Sequence, residues 1–316
     1  MPTGLPSTRF AQSGNNRNGL RNTRHFGGIG ATSCVYKNVS SNSNTTMKQS
    51  FLIISFFLFL TSCQTHWTRT DNTLPNQNAD IKSIINGNWY EPTYIADIQK
   101  TKSPFQSQNS LATMVEIDID ISQAIGDTLE VGAPSVHEGT SFRIIFTPGL
   151  TPNFFNTDII DYENKSNFYE IGYIISTNDT TLIIYHYDKN KKLLEQMEYK
   201  KAPKSPESAL QYMVNKTLFS GNYKTVDSSG QTLTLNFSND GIVTGFPSYK
   251  KYYVLTDFVA GPENNLDQVC FDIQTYNQRC YAYEIKGDTI KLYDTKESSD
   301  HIDLLLGQLK YKLIKQ

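Results

Sequence analysis

Short stretches in which apolar and polar residues alternate follow one another along most of the chain. In the clearest stretch, 114–121 (MVEIDIDI), one valine and three isoleucines fall on one face and three acidic residues on the other. A period of two is the pattern of a β-strand with one face in water. Further stretches that predict strands cover residues 127–132, 141–147, 168–176, 180–187, 222–227, 231–238, 241–246, 251–258, 269–274, 279–285 and 288–294. Many short strands at regular spacing predict an all-β fold, built as an antiparallel sandwich or an up-and-down barrel.

Two parts of the chain begin and end alike, which indicates an internal repeat. Each begins with a short amphipathic stretch that leads into Gly-Asn-aromatic, as Gly87-Asn88-Trp89 and as Gly221-Asn222-Tyr223. Each ends with an Asp-Thr turn, a strand, a polar loop and a strand with Gln and Tyr three residues apart, at 196–199 and 308–311. We therefore predict two tandem domains, 81–202 and 203–316, each preceded by a short helix.

The segment 200–208 (KKAPKSPES) is predicted to link the two domains. Leu210, Met213 and Val214 after it have helical spacing. Ser205 followed by Pro206 predicts the start of this helix, with a capping serine and a proline in the first helical position.

An apolar run, 51–60 (FLIISFFLFL), lies far upstream of these strands. It is too short for a membrane-spanning helix, which needs about 20 apolar residues, and it fits a secretory signal, whose apolar region has about 7–15. The sequence Leu60-Thr61-Ser62-Cys63 follows directly, and it resembles the lipobox of bacterial lipoproteins. This resemblance implies that Cys63 carries a lipid and becomes the new N-terminus. The alternative is an ordinary cleavable signal followed by a cysteine.

Residues 1–46 carry five basic residues and no acidic one, without apolar periodicity. Such a segment buries too little apolar surface to offset its ordering entropy. We expect translation to begin at Met47, so that 1–46 is a mis-assigned leader; the alternative is an unusually long basic leader. On this interpretation 47–62 is the signal peptide and 63–80 a polar tether. Gln64, in place of an aspartate, favours the outer membrane of the cell envelope as the location.

A short helix that leads into a Gly-x-Trp strand and then a meander of hairpins resembles the lipocalin, or calycin, family. In particular it is similar to lipocalin-like tandem lipoproteins of Bacteroidota. The resemblance implies that Trp89, and Tyr223 in the second copy, close one end of a barrel whose other end holds a ligand. The chain departs from the family's pattern in one respect, because no arginine follows Arg279 to cap the aromatic residue from the last strand.

The formal net charge is −2 and the sequence pI about 6.2, so nothing recruits nucleic acid electrostatically. The five histidines are scattered, and no metalloprotease, paired CxxC, nucleophile-elbow or phosphate-loop motif is present. We therefore predict no enzymatic activity, no cofactor and no metal. Three weaker candidates are better explained as polar surface: the carboxylates Asp118 and Asp120, a calcium loop at Asp158, Asp161 and Glu163, and His301 between Asp300 and Asp303.

Cys270 and Cys280 form an even pair in an exported domain, which invites a disulfide. If the chain turns near Thr275, the two sulfurs face one another across neighbouring strands. A register shift of one residue would move one cysteine to the other face and leave two free thiols.

Aromatic residues are the best indication of function, because exposed aromatic faces stack on sugars or line apolar pockets. The candidates are Phe154, Phe155, Phe168, Tyr169, Tyr252, Tyr253 and Tyr276, although the same residues are also common in strands. By analogy with the family, the segment 94–106 forms a loop over the open end, and its Lys100, Lys102 and Phe105 contact a ligand.

These observations favour a membrane-anchored, non-enzymatic lipoprotein that binds a small apolar or glycan ligand in a β-barrel. The alternative is an envelope module for protein–protein interaction or assembly. A cavity lined by aromatic residues favours the first, and filled barrels with an exposed apolar patch favour the second. Titratable side chains that converge in a cleft would favour an enzyme.

Overall fold

The computed structural model describes residues 77–177, 179–226, 229–258 and 265–316 of the protein. The predicted leader, the signal peptide, Cys63 and most of the tether lie outside these residues. The all-β class is confirmed, since the described part of the chain forms an eight-stranded antiparallel barrel and a second eight-stranded antiparallel sheet. All of it belongs to one compact unit.

The first barrel contains strands β1–β8, each paired with the next, and β8 returns to β1. Its strands are β1 Gly87–Tyr90, β2 Glu116–Ile119, β3 Thr128–Gly132, β4 Ser141–Pro148, β5 Phe154–Thr157, β6 Phe168–Ile175, β7 Thr180–Tyr187 and β8 Leu193–Lys201. Helix α1, Gln77–Ile85, precedes β1, and helices α2, Pro92–Thr101, and α3, Pro104–Ser107, lie between β1 and β2. The strands that the sequence predicts in this part of the chain are present, and the structure contains one further strand, β5.

The second sheet follows helix α4, Ala209–Leu218. Its strands are β9 Gly221–Val226, β10 Thr232–Phe237, β11 Val243–Thr244, β12 Tyr252–Val254, β13 Gln268–Phe271, β14 Arg279–Lys286, β15 Thr289–Glu297 and β16 Leu304–Lys315. Their order runs β11-β10-β9-β16-β15-β14-β13-β12, and an isolated bridge between Ile242 and Lys251 joins its two ends. When the bridge is included, each strand from β9 to β16 neighbours the next in the sequence and β16 pairs with β9, as β8 pairs with β1 in the first barrel.

The two Gly-Asn-aromatic triplets occupy equivalent places. Trp89 in β1 is the register partner of Lys201 in β8, and Tyr223 in β9 is the partner of Lys315 in β16. One backbone hydrogen bond closes each junction. The N–H of Ala202 donates to Asn88 O at 2.8 Å, and the N–H of Gln316 donates to Asn222 O at 2.9 Å. Both triplets therefore lie where the first and last strands of their sheets meet.

The segment 94–106 was predicted to form a loop over the open end of the barrel, but it lies in helices α2 and α3. Glu91 caps α2 by accepting hydrogen bonds from the backbone N–H groups of Thr93 and Tyr94, and Pro92 occupies the first turn. These are signals for a helix start that the family analogy obscured. The predicted start of α4 was also wrong, because its N-cap is Ser208 and not Ser205.

Each sheet encloses a core of buried side chains. The first core includes Trp89, Ile117 and Tyr199, all fully buried, and the second is rich in aromatic residues such as Phe219, Phe237 and Phe271. Side chains therefore occupy much of both interiors.

Helix α2 belongs to the first half of the chain but packs into the second core. Its buried residues Tyr94, Ile95 and Ile98 lie in the same apolar cluster as the residues of β9–β16. Two polar contacts support this packing: Phe105 N donates to Asp267 Oδ1 at 2.8 Å, and Leu210 N donates to a carboxylate oxygen of Glu116 at 2.9 Å. The second core is therefore shared between the two halves, which are not joined by the linker alone.

Candidate functional site

A cavity of about 680 Å³ opens at one end of the first barrel, and we call it the mouth cavity. Its lining comes from the segment before β2, the starts of β4, β6 and β8, and the loop after β5: Leu111, Ala112, Thr113, Met114, Thr140, Ser141, Phe142, Asp158, Ile159, Ile160, Tyr162, Tyr169, Glu195 and Met197. Because neighbouring strands are antiparallel, the starts of even-numbered strands lie opposite the start of β1. The mouth cavity therefore lies at the end away from α1.

The floor of the mouth cavity is apolar. Phe142 is buried in the first core, and Met114, Tyr169 and Met197 pack against that core while remaining partly exposed. The hydroxyl of Tyr199 donates to the backbone oxygen of Met114 at 3.1 Å, which holds the segment before β2 across the top of the core. The cavity is thus a recess above a filled barrel.

The first barrel closes through a short pairing between β1 and β8. Strand β8 pairs with β7 from Leu193 to Lys200, whereas among the described residues it pairs with β1 only through Lys200 and Lys201. Strand β1 ends at Tyr90 because Glu91 begins the turn into α2. A second cavity, which we call the side cleft, has about 440 Å³ and lies along the unpaired part of β8.

The mouth cavity and the side cleft adjoin. Both are lined by Leu111, Ala112, Glu195 and Met197. Together they form a recess that a ligand can enter from the end of the barrel or from its side.

Titratable groups converge beside the mouth cavity. The Nε2 atom of His186 in β7 lies 3.0 Å from Oδ2 of Asp161, and its Nδ1 atom lies 4.0 Å from Oε2 of Glu195. The ring of Tyr169 stacks on the imidazole with 4.1 Å between centroids and an angle of 7°. The sequence predicts the strands that carry Tyr169, His186 and Glu195. It does not predict that these side chains meet, because no other histidine lies near His186 in the sequence.

The pKa values of Asp161 and Tyr169 are shifted in opposite directions. Backbone N–H groups of Asn164 and Glu163 and the side-chain amide of Asn167 donate to Asp161, and with the charge of His186 they hold its pKa below the ordinary range. Burial, and then the negative charge of nearby carboxylates, raises the pKa of Tyr169.

The arrangement favours a supporting role for His186. One nitrogen is engaged by Asp161, the other faces Glu195, and one face of the ring is covered by Tyr169. The side chain is only 12% exposed, so it has little access to a substrate in the cavity. The group ties the loop after β5 to β7 and holds the ring of Tyr169 at the cavity wall.

Two of the carboxylates considered as calcium ligands, Asp158 and Asp161, already accept hydrogen bonds from protein groups. Asp158 accepts from the backbone N–H of Arg143 at 2.5 Å and from its Nε at 2.7 Å, while Asp161 is held as described. Within the described residues, no three His, Cys, Asp or Glu side chains are grouped so that they could hold a metal. Asp120 caps a turn at Ser122, and the exposed His301 pairs with Glu297 at 2.5 Å, so neither joins a larger site.

Trp89 and Tyr223, the predicted barrel-closing aromatics, are both buried. The indole N–H of Trp89 donates to Ile85 O of α1 at 2.8 Å, and Nζ of Lys201 lies 5.2 Å from the centre of its rings. A lysine of β8 therefore lies over the indole of Trp89. Lys315 of β16 is the register partner of Tyr223 in the second sheet.

Lys100, Lys102 and Phe105 are not part of the mouth cavity. Phe105 packs edge-on against Phe258 of the second half, with 5.4 Å between centroids, and Lys100 lies 3.6 Å from Asp97 on its own helix. The family analogy misplaced these residues because it treated 94–106 as a lid.

Most of the candidate aromatics serve packing. Phe154, Phe155 and Tyr252 are buried, and Tyr276 is fully exposed on a turn. Only Tyr169 among the candidates lines the mouth cavity.

Cys270 and Cys280 are directly opposite in the register of β13 and β14, and the structure joins them by a disulfide. The turn that connects these strands includes Thr275, as the hairpin interpretation requires.

No family model, no curated protein and no solved structure matches the chain. Among the described residues, no helix has the length and apolar character needed to cross a membrane.

Proposed function

We propose that this protein is a lipid-anchored lipoprotein of the cell envelope, with two tandem lipocalin-like domains, that binds a small apolar or glycan ligand without acting on it chemically. The observation that carries the proposal is the mouth cavity. Its apolar floor lies above a filled core, and its rim supplies polar groups from Ser141, Asp158 and Glu195.

The size and lining of the mouth cavity fit a small ligand. Pockets for small molecules measure about 300–1,000 Å³, and are mostly apolar with a few placed polar groups. The aromatic side chains Phe142, Tyr162 and Tyr169 offer faces for apolar groups or sugar rings.

Membrane attachment is proposed from the sequence. The apolar run 51–60 and the lipobox-like residues that end at Cys63 support export and lipidation, with the outer membrane as the favoured location. A single acyl chain binds membranes reversibly, so stable attachment requires more than one chain on this cysteine.

An assembly role remains the second candidate, and one observation favours it. The hairpin of β15 and β16 carries Leu305, Leu306 and Leu309, which are between 43% and 48% exposed. Exposed apolar side chains grouped on a strand are suited to a protein partner.

Native mass spectrometry of the protein purified gently from its own host tests the proposal. We expect an adduct that disappears on denaturation and is recovered as a small apolar molecule or glycan. A bare mass in repeated preparations, together with co-purification of a stoichiometric protein partner, would contradict ligand binding and support assembly.

A further inference from the structure

We propose that the ligand of the mouth cavity is an amphipathic cation, with its apolar body on the cavity floor and an ammonium or guanidinium group at the carboxylate of Glu195. This inference rests on the proposed function, because it names the class of ligand for the same cavity.

The charged side chains that line the mouth cavity and the side cleft are all acidic. The mouth cavity and the side cleft are lined by four carboxylates, and among the described residues that line them there is no lysine or arginine. The four are Glu91, Asp158, Glu195 and Glu198. A recess with low-dielectric walls and charge of one sign concentrates ligands of the opposite sign.

Three of these carboxylates already have close partners. Glu91 accepts two backbone N–H groups at the start of α2, Asp158 pairs with Arg143, and Glu198 accepts from the amide of Gln196 at 2.7 Å. They contribute negative potential, but their oxygen atoms are partly engaged.

Glu195 is the carboxylate best placed for a ligand. It lines both the mouth cavity and the side cleft, its side chain is 60% exposed, and its Oε2 atom lies as far as 4.0 Å from Nδ1 of His186. It lies two residues from Met197 on the same face of β8, so a cation at Glu195 places an attached apolar group over the cavity floor.

The negative electrostatic potential beside Glu195 also favours a cationic ligand. The pKa of the neighbouring Tyr169 phenol is raised by burial and then by Asp161, Glu195 and Glu163, which all disfavour a further negative charge. An anionic ligand at this position would meet the same repulsion.

Calorimetric titration of the full chain with three probes of equal chain length tests the inference: decylammonium, decanol and decanoate. We expect decylammonium to bind most tightly and decanoate most weakly. Glu195→Gln should weaken decylammonium by about 2- to 5-fold, as for an ion pair at a partly exposed carboxylate, and leave decanol unchanged. Glu138→Gln, a carboxylate on an exposed turn outside both cavities, is the matched control and should change neither affinity.

The outcomes separate the two proposals. Equal affinity for decylammonium and decanol, or an unchanged preference in Glu195→Gln, overturns the cationic ligand and leaves apolar binding intact. Failure of all three probes to bind contradicts an apolar ligand in the mouth cavity, and this inference with it.

Discussion

At the scale of single residues, two glycines allow the first strand of each repeat to meet its last. Gly87 and Gly221 have φ angles of 126° and 141°, which residues with a Cβ atom rarely adopt. A Cβ atom at Gly87 would also lie 2.9 Å from Cε of Lys201, the residue that covers Trp89. The glycine, the aromatic residue and the lysine thus form one packed unit at the end of the barrel next to α1.

We expect Gly87→Ala to lower the free energy of unfolding by about 1–3 kcal/mol, because it combines backbone strain with a close contact. Chemical denaturation followed by circular dichroism measures the change. Gly139→Ala is the control, since no atom lies within 4 Å of a Cβ there and its φ is not positive. Equal stability of the two variants would contradict the packed unit.

Asp161 gives a second residue-scale prediction, because its folded pKa is lowered mainly by hydrogen bonds from the loop after β5. A lowered carboxyl pKa adds stability that is complete above the unfolded value, about 3.9, and is lost as pH falls through the folded value. We expect Asp161→Asn to reduce stability at neutral pH and to flatten its decline in acid.

Thermal midpoints of wild type and Asp161→Asn across the acid range test this expectation. Asp118→Asn, an exposed change on β2, serves as the control and should keep the wild-type pH profile. A decline in Asp161→Asn that parallels the wild type would show that Asp161 does not contribute as proposed.

At the scale of elements, the strands follow from the sequence more directly than the helices between β1 and β2. Strand β2 alternates strictly, whereas α2 mixes Tyr94, Ile95 and Ile98 with polar residues, so its sequence indicates a helix less directly. Its apolar face is narrow, and its partner lies in the distant second core, so local pattern alone does not reveal the packing. Strand β5 was missed for a related reason, since Phe154 and Phe155 read as exposed loop aromatics.

The disulfide between β13 and β14 also acts at this scale. It closes a short loop with a sequence separation of 10. We expect its removal in the double variant Cys270→Ser with Cys280→Ser to cost about 2–3 kcal/mol of unfolding free energy. Wild type with and without reductant provides the comparison. Equal denaturation midpoints in all three samples would contradict a stabilising cross-link.

At the scale of the whole molecule, the shared core makes the two halves interdependent. The sequence predicted a tandem repeat joined by a linker, and the repeat could be inferred because both copies keep the same order of signals. The mouth cavity could not be inferred, because its lining comes from segments that the fold brings together from residues 111 to 197.

Ile98, which is fully buried on α2 within the second core, tests this interdependence. We expect Ile98→Ala to cost about 2–5 kcal/mol, the usual cost of truncating a buried aliphatic side chain, and to shift one common unfolding transition. Gln99→Ala, at an exposed neighbouring position, should have little effect. Two transitions, with only one shifted, would show that the halves fold separately.

The central claim is that the mouth cavity holds the ligand, and a cavity-filling variant tests it most directly. Native mass spectrometry should show the adduct on wild type and on Leu194→Trp, whose side chain lies on the exposed face of β8, and should show bare protein for Met197→Trp, which fills the cavity. Circular dichroism must show that all three are folded. An adduct retained on folded Met197→Trp would contradict the account and place the ligand elsewhere.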